Sequence, residues 1–300
     1  MNPSPSPFEK SPTNGFTREK DDAEPEPSLR APQAHGHGIH SSKNELLVAL
    51  IYPVTLTLAS AFYLLSPSPA ASESYFSHKS NLINVVFVKF GWFWTTAVFL
   101  LHLSRLRSSN KPKALLRWAL ATVWWIGVTQ WFFGPPLMDR AFLLTGGACE
   151  VLNRANADPN DMGMSKGELL LTSAACKVQG GRWAGGHDLS GHVFLLTHAS
   201  LFLWSEVLPV LSTGFWGGVE SGAVWGLLGM WWWMLLMTGI YFHTWREKVG
   251  YPVPIVLWRS TDIGNQITGL VVATIEWAVL YMWALKSLPL IRTALGVPGL

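Results

Sequence analysis

Six long apolar runs leave this chain few options: Leu46–Leu65, Asn84–Leu103, Ala114–Phe133, Gly191–Leu211, Ala223–Phe242 and Ile267–Leu285. Each is about 20 residues long, which is what a helix rising 1.5 Å per residue needs to cross the hydrocarbon of a bilayer. The runs are continuous rather than alternating in short pieces, so helices are expected and a barrel is not. The expected fold is therefore all-α: a polytopic membrane bundle of six transmembrane helices. Composition agrees. Charged residues make up 14% of the chain, against about 25% in a soluble domain. The 17 Trp fit the headgroup layer, where an apolar ring with one N–H is at home. A net charge of +3 is too small for a nucleic-acid surface, so no nucleic-acid partner is expected.

Two units follow: residues 1–43 as a disordered cytoplasmic tail and 44–300 as the membrane domain. The first 40 residues are rich in Pro, Ser and charge, with no apolar run. They offer neither the core of a cleavable signal peptide nor enough apolar surface to offset ordering entropy. His35, His37 and His40 in this tail read as a solvated patch. Orientation is taken from Lys and Arg in short connections. Arg105, Arg107, Lys111, Lys113 and Arg117 place the loop after the second run in the cytoplasm, and both termini with it. The long connection 134–190 is then lumenal. Cys149 and Cys176 both lie in it, either as a disulfide or as two free thiols.

The chemistry concentrates at two places that this topology brings to one face. Gly186-His187-Asp188-Leu189-Ser190-Gly191-His192 enters the fourth run. Ser190 is suited to cap the helix, Gly191 lets a ligand approach the backbone, and His192 falls in the first turn. There, unpaired N–H groups and the helix dipole favour an anion. Tyr241-Phe242-His243-Thr244-Trp245-Arg246-Glu247-Lys248 closes the fifth run. Antiparallel neighbours bring His192 and His243 to the same side, and Glu247 lies one turn beyond His243, placed to orient its imidazole. The blander reading is two interfacial histidines with no chemistry. Among other ionisable groups, Lys89 either reaches up to an anion or anchors its helix. Glu276 is either a protonated carboxyl hydrogen-bonded between helices or part of a polar cavity, Glu206 is read as reaching the cytoplasmic interface, and His198 as a packing residue. Trp231-Trp232-Trp233 reads as lipid and core contact.

At these residues the chain resembles the fat storage-inducing transmembrane (FIT) protein family. The matching stretches are Asn84-Val85-Val86-Phe87-Val88-Lys89 with Trp92 and Trp94, Thr129 to Pro136, Gly146-Gly147-Ala148-Cys149, Gly186 to His192 with Phe194-Leu195-Leu196, and Phe242-His243-Thr244 with Glu247-Lys248. The resemblance runs over roughly residues 44–290. It implies kinship with the lipid phosphate phosphatases, with His192 as general acid and His243 as nucleophile. It further implies an acyl-CoA diphosphatase of the endoplasmic reticulum membrane. Such an enzyme splits the pyrophosphate of a fatty acyl-CoA into acyl phosphopantetheine and adenosine 3′,5′-bisphosphate, and supports lipid droplet formation and membrane lipid homeostasis. Neither a cofactor nor a metal is implied. The chain departs from the wider phosphatase pattern at Met237, where an Arg is usual, at Glu247, where an Asp is usual, and at Leu189, where a Pro is usual. The charge of a phosphate clamp is left to Lys89, Arg246, Lys248 or Arg259. The alternative is a non-catalytic protein of the bundle type that holds di- or triacylglycerol and partitions it into droplets.

Overall fold

The computed structural model describes residues 37–65, 74–78, 80–130, 135–150, 171–184, 186–187, 189–211, 219–241 and 255–298. The chain is predominantly helical. Its long helices are α1 (His37–Leu65), α2 (Gly91–Arg105), α3 (Lys111–Thr129), α6 (Gly191–Leu211), α7 (Val219–Tyr241) and α8 (Ile255–Trp277), and they overlie the six apolar runs. Shorter pieces are α4 (Leu137–Leu144), α5 (Ser173–Val178), α9 (Leu285–Ser287) and α10 (Pro289–Leu295), with strands β1 (Ala148–Glu150) and β2 (Arg182–Ala184). A π-helical stretch, Ala278–Ala284, joins α8 to α9. Helix α1 begins at His37, ahead of the expected boundary at 43.

Helix α6 sits at the centre, against α1, α2, α3, α7 and α8. Its sequence explains the position: a helix apolar on every side is stable only when surrounded. Val193, Phe194, Leu196, Leu201, Phe202 and Leu203 are all buried. The outer helices carry the opposite pattern. Leu47, Leu50, Ile51, Val54, Leu58 and Phe62 form an exposed apolar stripe along α1, and Ile267, Val271, Ile275, Val279 and Trp283 form another along α8 and its extension. Stripes of that size in water would drive association, whereas lipid tails satisfy them. Three described stretches, Lys43–Phe62, Ser221–Tyr241 and Gly264–Ser287, are long and apolar enough to cross a membrane.

The second run is not one continuous helix. Asn84–Val88 is a π-helical turn, Phe90 leaves helical geometry at φ −102° and ψ 24°, and α2 starts at Gly91. Lys89 stands exposed at the end of the π-helical turn, before Gly91 opens α2.

Glu206 corrects a sequence expectation. It does not reach the interface; it is 1% exposed. Arg117, expected in the cytoplasmic basic cluster, is buried with it. Arg117 Nε and Nη2 donate to the two Glu206 oxygens, each at 2.6 Å. Arg117 Nη1 donates to the Leu295 carbonyl, and Tyr281 Oη–H donates to Glu206 Oε1 at 3.0 Å. A planar fork facing a carboxylate is the geometry that makes burying two charges tolerable. The cluster ties α3, α6, the extension of α8 and α10 into one end of the bundle.

The connection between α3 and α6 departs from all-helical expectation by a small antiparallel hairpin, in which Cys149 pairs with Trp183 in register. Cys149 and Cys176 form a disulfide, which resolves the two readings of these cysteines. Trp183 stacks on Phe142 of α4 with ring centroids 4.6 Å apart. Asp139 accepts the Ser173 N–H at 3.1 Å, at the start of α5. The hairpin, α4 and α5 thus make a compact disulfide-tied cap next to the start of α6.

Candidate active site

Two neighbouring elements, α8 and α4, position the start of α6. Ser190 precedes the helix and caps it: its hydroxyl accepts the Val193 N–H at 3.5 Å and its carbonyl the Phe194 N–H at 2.9 Å, satisfying donors that a helix start leaves unpaired. The Ser190 N–H donates to the Asn265 carbonyl of α8 at 3.1 Å. Such closeness needs a glycine opposite. A methyl group on Gly269 would come within 2.7 Å of the Ser190 carbonyl oxygen, so only a residue without Cβ lets α8 approach. At Gly191 the nearest neighbour would be the Met138 methyl at 3.2 Å, which sets α4 over the helix start.

His192 is half-buried in the first turn, where the helix dipole presents its positive end. His192 Nε2–H donates to Asn84 Oδ1 at 2.8 Å. Asn84 is 1% exposed and is itself held: its N–H donates to Asn81 Oδ1 at 2.7 Å, and Asn81 Nδ2 donates to the His78 carbonyl at 2.7 Å. A chain of amides therefore aims the one that receives the imidazole. Sequence reasoning took Asn84 only as part of an apolar stretch. Its signal was available: a carboxamide at membrane depth must find a partner inside the bundle. What the sequence alone could not supply was which partner, since His192 lies 108 positions away.

Of the other expected site residues, Lys89 is joined to this corner through its backbone, its N–H donating to the Asn84 carbonyl at 2.9 Å. His243, Arg246, Glu247 and Lys248 lie outside the described residues, as does the side chain of Arg259, which falls within α8. Helix α7 ends at Tyr241, just before His243. Near that end, Gly239 packs against Ala59 and faces Gln266 Oε1, which a methyl group there would meet at 3.9 Å. Gln266 adjoins Asn265, whose carbonyl holds Ser190. The last turn of α7 thus packs on α1 at Ala59, and the start of α6 is held by α8.

A second polar pair lies deeper. His198 stacks between Trp92 and Phe194, with ring centroids at 4.9 and 5.5 Å. Its Nε2–H donates to the Ala121 carbonyl at 3.1 Å, and its Nδ1 is 3.5 Å from Glu276 Oε2. Both rings and the carboxyl are enclosed, so this pair joins helices and is separate from the α6 entry.

A family model described as "Fat storage-inducing transmembrane protein" matches residues 72–221 and 215–251. This chain belongs to that family. The matched segments contain Lys89, His192, His243 and Glu247; Arg259 lies beyond them. Curated relatives of the family include "Acyl-coenzyme A diphosphatase fit1" of Schizosaccharomyces pombe, 38% identical over 255 residues, covering 85% of this chain and 90% of that protein. "Acyl-coenzyme A diphosphatase FITM2" of Sus scrofa is 33% identical over 197 residues, covering 62% and 69%. "Acyl-coenzyme A diphosphatase SCS3" of Saccharomyces cerevisiae is 29% identical over 213 residues, covering 43% and 56%. No solved structure matches.

Proposed function

We propose that this FIT-family protein is an acyl-CoA diphosphatase of the endoplasmic reticulum membrane, with six spans, both termini cytoplasmic and its catalytic face in the lumen. The relatives' printed activity supports the reaction class. The observation that carries the reading to residues is the fixing of His192 by buried Asn84 at a capped helix start. The Cys149–Cys176 disulfide supports the lumenal face, because an oxidising compartment sustains it and the cytosol does not.

In this mechanism the acyl chain lies among the helices and the pyrophosphate reaches the α6 entry. A His243 nitrogen attacks one phosphorus, forming an N–P bond as the bridging P–O bond breaks. His192, held by Asn84, protonates the leaving phosphate. Water then displaces His243 from phosphorus, and its proton restores His192. One water is consumed, and acyl phosphopantetheine and adenosine 3′,5′-bisphosphate are released. Proton transfer contributes roughly 10²–10⁴-fold of the rate. Ser190 and Gly191 shape the anion site, and Glu247 orients His243. Lys89, Arg246, Lys248 and Arg259 are the cations from which the phosphate clamp is drawn. Membrane phospholipids and neutral lipids surround the bundle, and clearing acyl-CoA on the lumenal side supports lipid droplet formation and membrane homeostasis. The N-terminal segment ahead of α1 takes no part.

The acid role of His192 is tested by leaving-group dependence. The H192A variant should lose far more activity on acyl-CoA than on a phosphoryl substrate with an activated leaving group. Equal losses on both would remove His192 from proton transfer.

A further inference from the structure

His187 opens the motif that leads into α6, and neither the nucleophile nor the acid assignment uses it. Its contacts are unusual for a loop residue, because two threonine hydroxyls grip it at opposite ends. The Thr145 hydroxyl, at the end of α4, lies 2.9 Å from both the Ala141 and Phe142 carbonyls and donates to that helix end. Its oxygen accepts the His187 N–H at 2.7 Å. On α8, the Thr268 hydroxyl lies 3.1 and 3.0 Å from the Gly264 and Asn265 carbonyls and likewise gives its proton to the helix. Its oxygen lies 3.1 Å from His187 Nε2. With the hydroxyl proton on a helix carbonyl, it accepts from a ring protonated at Nε2. The ring also lies tight on α8: a methyl group at Gly264 would be 3.1 Å from His187 Cε1.

These contacts continue into the proposed catalytic residue. His187 binds Thr268, Ser190 binds Asn265, and His192 binds Asn84. The first two fix His187 and Ser190 on one turn of α8; the third is the bond that orients the acid. We propose that His187 is a positioning residue: clamped by Thr145 and Thr268, it holds the entry to α6 on α8 beside Ser190 so that His192 meets Asn84. It does not itself exchange protons with the substrate. This rests on the reading of His192 as catalytic acid.

The test uses full-length protein in detergent with acyl-CoA, comparing T268V, T268S, T145V, H187Q and H187A. T268V is nearly isosteric and removes the hydroxyl. Losing one such hydrogen bond should lower kcat roughly 3- to 10-fold, with KM within about twofold and T268S close to wild type. T145V, which removes the main-chain grip, should show the same split. H187Q, which keeps a donor near Nε2, should retain more activity than H187A, and added imidazole should not rescue H187A. A second readout needs no turnover: carbethoxylation of His192 by diethyl pyrocarbonate, followed by mass spectrometry, should be faster in T268V than in T268S. Wild-type kcat and wild-type His192 reactivity in T268V would overturn the proposal. So would rescue of H187A by imidazole, which would make His187 a proton carrier. If H187A does not fold, T268V and T145V decide. If the wild-type protein fails to cleave acyl-CoA, the reaction assignment falls, while the His192 reactivity still decides the positioning role.

Discussion

Replacing Arg117 with Met should destabilise the bundle strongly without touching its chemistry. Arg117 and Glu206 are 2% and 1% exposed and meet through two 2.6 Å bonds. In R117M the Glu206 carboxylate remains buried, with the Tyr281 hydroxyl as its remaining partner among the described residues. Breaking a buried pair from one side costs about 3–5 kcal/mol, far more than the pair itself contributes over an apolar substitute. At roughly 2–4 °C per kcal/mol for a chain of this order of size, the melting temperature in detergent should fall by about 10 °C. The double variant R117M/E206M removes both charges and should recover most of that loss. A deficit of about 1–2 kcal/mol should remain from the Leu295 carbonyl and the Tyr281 hydroxyl, which lose their partners. Glu206 lies about 21 Å along α6 from His192 at 1.5 Å per residue. Turnover per folded molecule should therefore stay within about twofold in both variants. Thermal melts with acyl-CoA turnover on the soluble fraction read all of this. An R117M melt within about 1 °C of wild type, or a double variant no better than the single, would refute the reasoning.

Three further outcomes are expected. N84L removes the acceptor of His192 Nε2–H and should lower kcat about tenfold with little change in KM, as read by steady-state kinetics. Cys149 and Cys176 should resist a maleimide until a reductant is added. Their loss in C149S/C176S should cost about 3.5 kcal/mol, the scale for a bridge spanning 27 residues, as read by denaturant melts. E247Q should slow turnover while leaving acyl-CoA binding by a non-hydrolysable analogue unchanged, and full activity in E247Q would remove its orienting role.

The sequence showed the helices because their apolar runs are long and continuous, and three of the described stretches have the length and composition to cross a bilayer. It showed Ser190 as a cap because capping is local: residue, hydroxyl and recipient N–H lie within one turn. It did not show that Glu206 and Arg117 meet, since 89 positions separate them and charge in a run near a membrane edge is equally well explained by water. Asn84 was missed for the same reason, and its π-helical turn has no clear mark in residue type. The hairpin was missed because its strands are three residues each, too short for any alternation to register. The disulfide stayed open because pairing depends on the approach of β1 and α5, which spacing alone does not determine.

Product analysis of purified wild-type and H243A protein on a fatty acyl-CoA tests the central claim most directly. Mass spectrometry should find acyl phosphopantetheine and adenosine 3′,5′-bisphosphate in equal amounts from the wild type. H243A should yield neither, while melting at the wild-type temperature. A folded H243A protein that cleaves acyl-CoA at the wild-type rate would contradict the account, as would wild-type protein that releases no adenosine 3′,5′-bisphosphate.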